Sequence, residues 1–91
     1  MIVTSYQISY DLQSPGQDYG ELHDAIKSLG DYCHILESTW LVEASDTSSS
    51  DIRGELQEHI DSNDRLMVTR PRSGWATTFS SDCTDWMHDN L

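Results

Sequence analysis

The sequence predicts an α+β domain in which two helices pack on one face of a four-stranded antiparallel sheet. Three observations predict it. Stretches rich in β-branched and aromatic residues recur from Ile2 to Thr69. Two segments with apolar residues at helical spacing lie between them. The resulting order, strand, helix, strand, strand, helix, strand, divides into two strand–helix–strand halves of roughly 30 residues or more each.

The first strand spans residues 2–12. From Tyr6 it alternates, with Ile8, Tyr10 and Leu12 on one face and Gln7, Ser9 and Asp11 on the other. Its apolar content predicts a central position in the sheet. Residues 13–17 read as a loop with a Pro-Gly turn signal. Asp18 is a good N-cap for the first helix, with Glu21 three residues on; Leu22, Ala25, Ile26 and Leu29 supply its apolar stripe, and Gly30 is the expected left-handed terminator. Residues 32–36 and 39–44 are two strands meeting at a tight or bulged junction, Glu37-Ser38. After a polar connector, Ile52, Leu56 and Ile60 form one i,i+4 ridge of a second helix capped by Ser49 or Ser50. Gly54 inside that helix suggests a close approach by another element. Residues 61–64 form a turn, and residues 66–69 form the last full strand, which Pro71 ends.

Beyond it, residues 74–79 read as a short added strand or an irregular segment, and Asp82 caps a terminal helix with Cys83, Trp86, Met87 and Leu91 on one side. The pattern is that of the ferredoxin-like, or split βαβ, fold: a core over residues 1–72 and a C-terminal extension over 73–91 within the same domain. Right-handed crossovers place both helices on one face. Trp75, Phe79, Trp86 and Met87 are a large apolar load for an extension. They must cover their own sheet or a second protomer's, and a homodimer is the preferred expectation, with an edge strand after Pro71 available for pairing.

Composition narrows the function. Five Lys and Arg against sixteen Asp and Glu give a net charge of −11, and eleven of the sixteen acids are Asp. That balance argues against a general polyanion binder. No apolar run approaches the roughly 18–20 residues of a membrane span, and no signal-peptide pattern opens the chain. The acids are spread over every predicted element and Lys27 is the lone lysine. Adaptation to a high-salt cytoplasm is therefore preferred over an acidic face built for a basic protein partner, which stays open as the alternative. Cys33 and Cys83 have no CxxC spacing and sit among apolar neighbours, so buried free thiols in a reduced cytoplasm are expected.

With this topology in place, residues 8–12 (Ile-Ser-Tyr-Asp-Leu) and 37–42 (Glu-Ser-Thr-Trp-Leu-Val) resemble the small CRISPR adaptation protein family, the partner of the CRISPR integrase. The chain is more closely similar to that family's SinR-like relatives. The likeness rests on the Tyr-Asp-Leu strand end, the loop from Pro15 to Tyr19, Ser38 to Trp40, the turn from Asp61 to Asp64, and Trp86 in a terminal helix. Toxin-like ribonucleases of the same fold are more distant kin. The resemblance implies a ferredoxin-like homodimer that acts as a scaffold or regulatory module. It also implies a metal-dependent nuclease role for the Asp that ends the first strand, which only Asp11 matches. The family's DNA-bridging role relies on basic surface, and this chain departs from it there.

At Asp11, two copies meeting at a two-fold axis would offer Mg²⁺ a shared pair of carboxylates, and the ion could generate hydroxide and clamp a phosphate. The competing reading is a carboxylate that caps the following loop. Arg65, Arg70 and Arg72 lie within eight residues around the last strand. They are the one candidate nucleic-acid contact, and pairing with the acidic excess is the preferred alternative. His23, His34, His59 and His88 show no HxH or HExxH spacing, so a zinc site is not expected; His34 could serve as a base near a phosphate. Trp40 and Trp75 could stack bases but are expected in the core or an interface.

Overall fold

A computed structural model of the chain describes residues 3–13, 19–71, 75–78 and 82–91. It is an α+β structure of seven described elements: β1 (Val3–Asp11), α1 (Gly20–Lys27), β2 (Asp31–Leu36), β3 (Thr39–Ser45), α2 (Ser49–Gln57), β4 (Arg65–Thr69) and α3 (Asp82–Asn90). The strands form one antiparallel sheet in the order β2-β3-β1-β4. Since β1 and β2 both run antiparallel to β3, they are parallel to each other with β3 inserted between them. Likewise β3 and β4 are parallel, with β1 between them.

Alternation decides which residues face inward. Tyr6, Ile8 and Tyr10 of β1 stand beside Trp40, Val42 and Ala44 of β3, and Leu66 and Val68 of β4 extend the same face. Against it pack Leu22 and Ile26 of α1 and Ile52 and Leu56 of α2, so both helices share one face as the sequence predicts. Tyr19, Ala25, Leu29 and Ile60 seal its margins.

Helix ends differ from expectation. In α1 Tyr19 occupies the N-cap position and Ser28 the C-cap, while Asp18 lies outside the described residues. Ser48, rather than Ser49 or Ser50, caps α2: its Oγ accepts from the Asp51 N–H at 3.1 Å. Gly54 has open space around it, so no element approaches there. Gly54→Ala is therefore expected to stabilise the protein by about 0.5–1 kcal/mol, measured by urea denaturation, because it removes the backbone entropy cost of a helical glycine without a clash.

The second sheet face is half covered. Cys33 of β2 and Leu41 of β3 are cross-strand neighbours on it, and Cys33 is joined to Cys83 of α3 by a disulfide. The expectation of free thiols is thereby corrected, and with it the ground for reading a reduced compartment from cysteine usage. Ser5 Oγ donates to the Asn90 carbonyl at 3.2 Å, holding the far end of α3 near β1. Leu41 is only 1% exposed and Met87 of α3 only 5%. The terminal helix thus covers its own sheet, the first of the two alternatives left open for it. Residues 75–78 carry no strand, and Gly74 and Phe79 lie outside the described residues. No described helix is long and apolar enough to cross a membrane.

Candidate functional site

Asp11 is the last residue of β1 and is exposed on the second face, on the side that α3 leaves open. Its cross-strand partner is Arg65, with Ser9 opposite Met67 and Gln7 opposite Thr69 along the same strip. Gln7 Nε2 donates to Ser9 Oγ at 3.3 Å, and that hydroxyl lies 3.4 Å from Thr39 Oγ1. Met67 is 58% exposed. Asp11, Ser9, Arg65 and Met67 border a shallow depression of about 270 Å³.

The structure does not gather the three predicted arginines. Arg65 opens β4, and Arg70 follows its end, roughly 16 Å farther along at ~3.3 Å per residue. Arg70 borders a different depression, with Ser5, Glu43 and Asn90. Arg72 lies outside the described residues. Among the described residues no group of three His, Cys, Asp or Glu side chains is placed to hold a metal ion. Asp11 thus supplies one carboxylate per chain, and a Mg²⁺ ion there would need further ligands from a second copy.

One carboxylate anchors the neighbourhood of Asp11. Asp64, in the turn before β4, accepts from the Gln13 N–H at 2.7 Å, from the Asp61 N–H at 2.8 Å and from Tyr19 Oη at 3.1 Å. It therefore ties down residues on both sides of the 14–18 segment and fixes the chain leaving β1. Hydrogen bonding, that from the Gln13 amide above all, holds its pKa below the ordinary carboxylate value. A depressed folded-state pKa stabilises the fold fully above about pH 4, and that contribution is lost as pH falls through the lowered value. Asp64→Asn is expected to be less stable at pH 7. It should also show a shallower loss of stability between roughly pH 4 and pH 2, measured by denaturant titration across pH. Equal pH slopes for variant and parent would refute the assignment.

Sequence reading missed a second constellation. Tyr10 Oη accepts from Trp40 Nε1–H at 3.0 Å and lies 3.2 Å from His23 Nε2 and 3.5 Å from the Glu37 carbonyl. His34 stacks on Trp40, with ring centroids 3.9 Å apart and planes 10° from parallel, and its Nε2 is 3.0 Å from the same Glu37 carbonyl. With His23 donating from Nε2 and Tyr10 donating to Glu37, the hydroxyl's donor and both acceptor positions are filled. The group is then a closed brace across β1, β2, β3 and α1, and Trp40 is a core residue rather than a base-stacking platform. The available signal was the alternation that places Tyr10 and Trp40 on one face. His23, on a helix, gave none.

No family model matches this chain, and no solved structure matches it significantly.

Proposed function

We propose that this chain is a ferredoxin-like module that works as a homodimeric scaffold or regulatory unit of the CRISPR-adaptation type. The fold reading is supported by the strand order β2-β3-β1-β4, in which each strand–helix–strand half receives a strand of the other half between its own two. The observation that carries the functional reading is the half of the second sheet face that α3 leaves open. There β1 and β4 present Gln7, Ser9, Met67 and Thr69, with Asp11 and Arg65 of opposite charge at one end, beside β4 as a sheet edge. A second copy on this strip would bury Met67 and satisfy that edge. Nucleic acid, if held, would meet Arg65 and Arg70, and few such contacts in an acidic protein make for weak, salt-sensitive binding.

Light scattering on a sizing column in molar KCl tests the dimer. The parent is expected at twice the chain mass and Met67→Glu at the chain mass; a monomeric parent at high concentration defeats the proposal.

A second reading is favoured by the exposure of Asp11 at the rim of its depression. Two such carboxylates brought together could hold Mg²⁺ for phosphodiester hydrolysis. Labelled RNA and DNA incubated with Mg²⁺ in molar KCl decide it: cleavage lost in Asp11→Ala supports a nuclease, and cleavage unchanged by that substitution excludes Asp11.

A further inference from the structure

We infer that the Cys33–Cys83 disulfide is a redox latch that holds α3 over the β2–β3 half of the second sheet face, and that a dithiol reductant releases this cover. The inference is independent of whether the β1–β4 half binds a second copy.

The latch sits where it can be reached. Cys33 lies in β2, an edge strand, Cys83 lies in the first turn of α3, and both are half-buried rather than sealed in the core. Their Cα atoms are 5.6 Å apart, within the normal span of a disulfide.

Among the described residues the other contacts of the helix are small ones, the tilted pairing of the Trp75 and His88 rings at 4.9 Å among them. Of its nine residues, Met87 is the buried hydrophobic one, and the Ser5–Asn90 hydrogen bond is single and partly buried. A free nine-residue helix is marginal in water, so α3 depends on its attachment to persist. Like charge works against that attachment: α3 carries Asp85 and Asp89, and the face beneath it carries Asp31 and Glu43. What the cover hides is Leu41, which sits beside Cys33 in register.

The chemistry closes on itself. A thiolate of the reductant attacks one sulfur of the pair, and the other leaves as a thiolate and takes a proton. The reductant's second thiolate then displaces the remaining cysteine. The products are Cys33 and Cys83 as thiols and an oxidised, cyclised reductant; two electrons and two protons pass to the protein.

Hydrogen–deuterium exchange with mass spectrometry on the full chain, before and after dithiothreitol, provides the test. Complete reduction is verified by alkylation of both cysteines. After reduction, amides of residues 82–90 are expected to exchange roughly tenfold faster or more, approaching unprotected rates, while β1 and β3 stay protected. The double variant Cys33→Ser/Cys83→Ser should show the same pattern without reductant. Three results would overturn the inference: free thiols at both positions in protein isolated under alkylating conditions, α3 protection unchanged by full reduction, or α3 and β1–β3 losing protection together. The last would make the bond a support of the whole fold rather than a latch.

Discussion

Replacing Gly30 with alanine is expected to cost about 3–5 kcal/mol, from backbone strain and overpacking together. Gly30 joins α1 to β2 with φ +156°, and a Cβ there would run into the carbonyl oxygen of Glu43, with the carbonyl carbon only 3.1 Å away. Both obstructing atoms are backbone. They belong to β3, which is hydrogen-bonded on both sides, to β2 and to β1, so they have nowhere to retreat. A domain of this size has a total stability of about 5–14 kcal/mol, so the loss would remove a large part of it. Urea denaturation in molar KCl measures the effect, with Gly54→Ala as the matched control of opposite sign. A Gly30→Ala protein within about 0.5 kcal/mol of the parent would show that the close approach to β3 relaxes freely.

Trp40→Ala is expected to cost about 3–5 kcal/mol by the same measurement. The indole is 2% exposed, it is the largest fully buried side chain, and it is flanked by His23, His34 and Tyr32 at centroid distances of 5.5, 3.9 and 5.7 Å. Trp40→Phe separates its two roles. It keeps an aromatic ring beneath His34 but removes the Nε1–H that Tyr10 Oη accepts together with part of the indole's volume, so about 1–3 kcal/mol should be lost. If phenylalanine costs as much as alanine, the shared phenyl-sized part of the ring contributes little and the Nε1–H with the rest of the indole carries the effect. If it costs nothing, the Tyr10 hydroxyl is satisfied by His23 and Glu37 alone.

Much of the sheet could be read from the chain because its periodicities are undisturbed. Ile8 and Tyr10 alternate with Ser9 and Asp11, and the structure turns those sets to opposite faces. Ile52 and Leu56 predicted the inward stripe of α2. The end of β1 was legible to within one residue, at Asp11 where the sequence predicts Leu12, since polar residues follow almost at once. What escaped was set by contacts distant in sequence. Gly30 reads as a helix terminator because local signals do not reveal Glu43, thirteen residues on and directly against it. Cys33 and Cys83, fifty residues apart, look like separate apolar positions until α3 is placed on β2. Gly54, by contrast, carried a local signal that corresponds to no neighbour. The arginines around β4 looked like a cluster in one dimension and separate in three, because an extended strand spends its length quickly.

The position of β1 bears on how the protein is made. Of the four described strands it leaves the ribosome first, yet both its ladder partners are encoded later: Val3 pairs with Ser45 and Gln7 with Thr69. Until β4 has emerged, β1 keeps a bare edge inside what will become the interior of the sheet, and no hairpin of neighbouring segments can shield it. Closing such long loops before any ladder forms slows folding relative to a helical bundle of equal length. Nascent chains halted before residue 65 should therefore remain protease-sensitive throughout, and protection should arrive in one late step rather than strand by strand.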